Sequence, residues 1–201
     1  MAKQTSSQTV GPYFAYGLTP GELTGINYVG FTGNCLASPE TQGEHIVIHG
    51  HVIDGEGAPV NDAMLEIWQA NAAGRYRHSE DERDDVALDE TFHGFGRTGT
   101  DRNGQYRFDT IKPGPVPGRG NVLQAPHVIL CVFARGMLSH AYTRMYFSDE
   151  ADPNESDPVL NSVEDVRRPT LIAERSRSGG QTVYWFDIHL QGDRETVFFD
   201  V

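Results

Sequence analysis

The chain has 201 residues, 38% of them hydrophobic and 22% charged, which is enough apolar material for a packed core and ordinary for a globular protein. A formal net charge of -12 repels phosphate backbones and anionic lipid surfaces, so neither nucleic acid nor a membrane is expected as a partner. No apolar run is long enough to span a bilayer and Met1 to Gln8 hold no signal-peptide core, so the expected location is the cytoplasm.

Length predicts a single domain over 1–201, with 1–43 as an N-terminal arm and long loop. Within that stretch, 14–43 lacks periodicity. His45 to Ile53 alternates and is β-rich, Asp54 to Pro59 supplies turn chemistry, and Ala63 to Gln69 resumes an apolar rhythm, which predicts two strands. Residues 78–95 again lack periodicity. The acidic run Glu80-Asp81-Glu82-Arg83-Asp84-Asp85 inside them has no spaced Asp-x-Asp-x-Asp-Gly pattern for calcium and reads as a solvated loop.

Asp101-Arg102-Asn103-Gly104 favours a tight turn leading into Gln105 to Phe108. His127 to Phe133 is a short run rich in Val, Ile and Phe, hence a buried strand, and Tyr142 to Phe147 is another. The best helix signal lies between Pro158 and Arg175, interrupted by Pro169. Val183 to Gln191 and Glu195 to Val201 read as a closing pair of strands around Gly192-Asp193. With 22 Gly and 11 Pro among many short strands, the expected class is all-β: a β-sandwich with long loops and one or two short helices.

Generic chemistry is sparse. Cys35 and Cys131 form no Cys-x-x-Cys or Cys/His cluster, and Cys131 reads as a small core residue. His49 and His51 share a strand face without a third ligand in any recognisable motif. No Gly-x-Ser-x-Gly elbow, Walker-type loop or dinucleotide fingerprint is present.

Five separated stretches carry more. They are Glu66-Ile67-Trp68-Gln69-Ala70-Asn71, Gly74-Arg75-Tyr76-Arg77-His78, Gly96-Arg97-Thr98, Thr110-Ile111-Lys112-Pro113-Gly114-Pro115 and Ala125-Pro126-His127. Together they make the chain resemble the intradiol ring-cleaving dioxygenases. That family holds ferric iron, a hard acid that prefers anionic oxygen and imidazole, with two tyrosines and two histidines. The matching positions here are Tyr76, Val116, His127 and Ile129. A His-x-His pair on a strand would place both rings on one face, about 6.6 Å apart; here the pattern reads His127-Val128-Ile129, so one imidazole is gone. Neither valine nor isoleucine can donate to a metal. Tyr76 and His127 are then expected as an inherited buried pair, hydrogen-bonded to neighbours. Where the family's catalytic subunits carry an arginine before that strand this chain has Gln124, and where they carry a glutamine on the next strand it has Arg144.

Ser7 to Tyr13, Phe133-Ala134-Arg135-Gly136 and Thr196 to Asp200 are similar to the α-type subunit of the family's heteromeric branch. The resemblance implies an α/β hetero-oligomer in which a homologous β subunit, and not this chain, holds Fe(3+). The small aromatic acid substrate it implies is protocatechuate, a catechol bearing a carboxylate, which dioxygen opens between its two hydroxyls to 3-carboxy-cis,cis-muconate. This chain would complete the pocket with Thr9, Gly11, Pro12, Tyr13 and Arg135. On a straight strand Arg135 lies about 26 Å from His127, too far to serve this chain's own metal position. Two competing readings stay open: a non-catalytic scaffold or small-aromatic-binding β-sandwich module, and a self-sufficient enzyme with a two-ligand iron site.

Overall fold

Strand β1 (His45–Ile53) turns Ile46, Ile48 and Val52 into the core and is the hub of one layer of a sandwich. Here the computed structural model describes residues 17–19 and 33–200; Thr9, Gly11, Pro12 and Tyr13 lie outside them, as does most of the expected arm. On one side β1 pairs antiparallel with β4 (Gln105–Ile111), and on the other it pairs parallel with β10 (Gln181–Trp185), which pairs antiparallel with β9 (Ile172–Ser178). The short β11 (Ile188–His189) extends along the end of β1.

The facing layer is antiparallel, in the order β3 (Phe95–Gly99), β2 (Met64–Trp68), β7 (His127–Phe133) and β8 (Ala141–Phe147). Strand β9 belongs to both layers: Ile172 and Ala173 pair with Tyr146 and Phe147 of β8, and the residues from Glu174 onward pair with β10. Because the chain turns this corner without a break, the two layers enclose one core. Leu65, Val128, Leu130 and Met145 from one layer meet Ile48, Phe108 and Tyr184 from the other, all fully buried. A two-strand hairpin of β5 (Val116–Pro117) and β6 (Leu123–Gln124) stands beside the second layer. The only α-helix longer than one turn among the described residues is α1 (Ala151–Ser156), and no helix there is long and apolar enough to cross a membrane.

The expected β-sandwich with long loops is what forms, and β1 and β7 have the predicted limits. Three local expectations fail. The helix signal between Pro158 and Arg175 resolves into two short 3-10 turns, Leu160–Ser162 and Arg168–Leu171, followed by β9; pairing of Ile172 with Tyr146 extends the chain there. The closing strand pair does not form. The Phe186 and Leu190 N–H groups donate to the His49 and Ile53 carbonyls, holding this run against β1, while the Phe199 N–H donates to the Tyr142 carbonyl on the opposite layer. Finally, the loop expected through residue 95 ends one residue earlier, at Gly94, and β3 begins at Phe95.

Candidate functional site

On β7 the alternation of side chains decides everything nearby. Val128, Leu130 and Val132 enter the core, so His127, Ile129, Cys131 and Phe133 lie on the outer face of the sheet. Register then assigns the neighbours. Trp68 on β2 and Arg144 on β8 lie on either side of Ile129, and Tyr146 lies opposite His127. The Trp68 ring stacks on Tyr76, with centroids 5.7 Å apart and planes 11° apart.

Tyr76 arrives on the loop after β2, which local chemistry closes. The Asn71 side chain accepts from the Ala73 and Arg75 N–H groups at 3.0 and 2.9 Å. Gly74 adopts a left-handed φ of +80°, with the Pro115 carbonyl packed where a side chain would stand. The Tyr76 N–H donates to Asp81 at 2.8 Å, and Arg83 clamps Asp81 through two bonds of 2.7 and 2.6 Å while donating to the Gly74 carbonyl. Asp81 is therefore not part of a solvated run, as its acidic neighbours suggested. Its side chain is only 9% exposed, and the Arg83 guanidinium beside it holds its carboxyl down at about 2. Beyond this loop Tyr76, Trp68, Val116 and Pro117 line a cavity of about 700 Å³, with Glu80, Asp81, Glu82 and Arg83 along it.

Of the four family positions, Tyr76 and Val116 line the cavity together with Trp68, the cross-strand neighbour of Ile129, and His127 lies two residues from Ile129 on the same face of β7. His127 is buried and its Nδ1–H donates to the Ala125 carbonyl at 2.8 Å, which leaves the lone pair on Nε2. Burial, reinforced by the Arg144 guanidinium, pushes its pKa down to about 4, so the ring is neutral at pH 7. Burial pushes the Tyr76 phenol up, so it keeps its proton. Arg144 Nη1 donates to Gln124 Oε1 at 2.6 Å. One phenol and one imidazole remain at the four positions, Val116 and Ile129 offer no donor, and a guanidinium stands beside them, whereas a ferric site requires anionic oxygen and several donors. No group of three or more His, Cys, Asp or Glu among the described residues is placed to hold a metal ion. These residues do not fit iron.

Arg135 lies apart from that cluster, just past β7, 70% exposed and paired with Asp62 at 3.1 Å. The pairing was not legible locally, because Asp62 precedes a different strand. His51 bonds to Asp187 at 2.9 Å and lies 3.1 Å from Gln105 Nε2, while His49 packs edge-on against Trp185, so the pair serves the surface of the first layer. Cys131 is buried as expected, and burial pushes its thiol up to about 12, which leaves it unreactive. Asp157 was missed altogether. It is fully buried and accepts from the Ala125, Val159 and Leu160 N–H groups and the Tyr146 hydroxyl. A single aspartate before a proline carries no signal that would have found it.

A family model described as Dioxygenase matches residues 32–192. The chain is 49% identical over 202 residues to the protocatechuate 3,4-dioxygenase alpha chain of Burkholderia cepacia, covering 99% of this chain and 98% of that one. It is 45% identical over 199 residues to the alpha chain of Pseudomonas putida, with 98% and 96% covered. To the protocatechuate 3,4-dioxygenase beta chain of Burkholderia cepacia it is 39% identical over 168 residues, with 80% and 70% covered. Among solved structures, the intradiol ring-cleavage dioxygenase from Tetranychus urticae superposes with a TM-score of 0.63 at 16% identity, with 92% and 94% of the chains covered. That likeness speaks for the fold alone.

Proposed function

The chain belongs to the intradiol dioxygenase family, and on that premise we propose that it is the single-domain α subunit of a heteromeric protocatechuate 3,4-dioxygenase. One observation carries the reading. Likeness to alpha chains extends over essentially the whole length, while the family's four donor positions here retain only Tyr76 and His127. A subunit of this kind needs a partner that supplies the metal, and a homologous β subunit holding Fe(3+) meets that need.

The substrate is a carboxylated catechol, and its carboxylate requires a cationic or hydrogen-bonding counterpart in the assembled pocket. From this chain Arg135 supplies a guanidinium at an exposed corner, with Asp62 as its partner until substrate competes. Thr9, Gly11, Pro12 and Tyr13 supply the rest: glycine permits close backbone approach, and proline stiffens the arm. Iron, when held by the partner, activates the catechol toward dioxygen. This chain's part is to bind and orient the acid end of the substrate, and the reaction runs in the cytoplasm.

The test is co-expression with the neighbouring β-type subunit, followed by iron analysis and a protocatechuate ring-cleavage assay of each chain alone and together. Activity is expected only in the complex, with no stoichiometric iron in this chain alone. Full activity of the partner by itself would reduce this chain to a scaffold, and iron with tyrosinate colour in this chain alone would make it self-sufficient.

A further inference from the structure

We infer that the bridge between Arg144 and Gln124, and not only the loss of two ligands, keeps metal out of this chain: it sets a guanidinium beside both lost donor positions.

Register carries the argument. Val116, one lost donor position, is the direct cross-strand partner of Gln124 on the β5–β6 hairpin. Ile129, the other, is the direct cross-strand partner of Arg144 on β7–β8. Directly opposed side chains stand about 5 Å apart at Cβ, so each member of the bridge is the immediate neighbour of one vanished ligand. The 2.6 Å bond from Arg144 Nη1 to Gln124 Oε1 joins the two. The surviving donors flank it. Tyr76 stacks on Trp68, the other cross-strand neighbour of Ile129, and His127 is two residues along the same face. The guanidinium charge reaches both of them.

The carboxylates nearest the cluster are engaged by other groups: Asp81 beside Tyr76 is clamped by Arg83, Glu66 on the same face is engaged by Arg97, and Asp157 is occupied by four donors, while Glu80 and Glu82 line the cavity beyond the Tyr76 loop. A trivalent cation entering the cluster would meet a fixed like charge in a partly buried setting, where repulsion is poorly screened. Restoring ligands alone should therefore fail.

The experiment compares Val116→Tyr/Ile129→His with Val116→Tyr/Ile129→His/Arg144→Gln, each co-purified with the partner subunit. It reads iron content above that of the natural complex and the added visible tyrosinate absorption. The pair of substitutions is expected to add no iron, and the triple variant to bind it at least about tenfold more tightly. Arg144→Lys in the same background keeps the charge and should stay metal-free. Equal iron gain with and without Arg144 would overturn the inference, as would a folded triple variant that gains none. Should the tyrosine variants not fold, the full chains carrying Ile129→His and Ile129→His/Arg144→Gln are titrated with Co²⁺, where equal affinity overturns it too. Iron in the natural complex tests the subunit assignment; iron gained on substitution tests this inference.

Discussion

Asp157, which has no solvent exposure, accepts the Ala125 N–H at 2.8 Å, and the Ala125 carbonyl in turn accepts a hydrogen bond from His127 Nδ1–H. One carboxylate thus sets the orientation of a ring two steps away. It also anchors the turn at Val159 and Leu160 and the Tyr146 hydroxyl.

Asp157→Ala leaves those four donors buried without an acceptor. We expect a loss of about 3–5 kcal/mol in urea unfolding, and about 1–3 kcal/mol for Asp157→Asn, which keeps one acceptor oxygen. A loss below about 1 kcal/mol for the alanine variant would show that water or a shifted loop takes over the donors.

Asp81 predicts a pH dependence. Its folded pKa of about 2 lies below the ordinary 3.8, so ionisation stabilises the fold. The contribution is complete above about pH 5 and disappears as the pH falls through about 2, and we place it at about 1–2 kcal/mol. Asp81→Asn should lower stability at neutral pH and flatten the acid limb of the stability curve over that window. Parallel curves for the two proteins would assign the acid limb to other carboxylates.

Arg135→Ala in the assembled complex is expected to raise the apparent KM for protocatechuate about tenfold or more, the size of one charge-assisted contact. Iron content and assembly should not change. Thermal stability should hold as well, because the ion pair with Asp62 is exposed and worth at most about 1 kcal/mol. Asp62→Ala is the control, removing the ion pair while keeping the guanidinium. Unchanged kinetics in a fully assembled Arg135→Ala complex would return this residue to the ordinary surface charges.

Gly74→Ala places a methyl group against the Pro115 carbonyl at a φ of +80°. The loop carrying Tyr76 and the strand carrying Val116 must then separate, at a cost of about 2 kcal/mol or more. Thermal unfolding measures the loss, and Trp68 emission should shift as its stack with Tyr76 loosens. An unaltered melting curve would mean that the Pro113 to Pro115 segment yields freely.

Much of this protein is local in origin. Alternation along His45 to Ile53 and the short apolar, β-branched run from His127 to Phe133 are properties of neighbouring residues, so β1 and β7 could be delimited before any contact was known, and with β7 the placing of His127 and Ile129 on a common face. The loss of two donor side chains at Val116 and Ile129 is likewise a fact of composition. Partner choice between distant segments is different. Nothing within Val183 to Gln191 says that it will run beside β1, and nothing in the acidic loop says that Asp81 alone will turn inward to Tyr76 and Arg83. The bond between Arg144 and Gln124 joins residues 20 apart and exists because two separate hairpins deliver them to one place. Local chemistry determined which strands form and which ligands are missing; only packing of the two layers, which brings remote polar groups together out of water, decided that Arg144 and Gln124 meet beside the two lost donor positions.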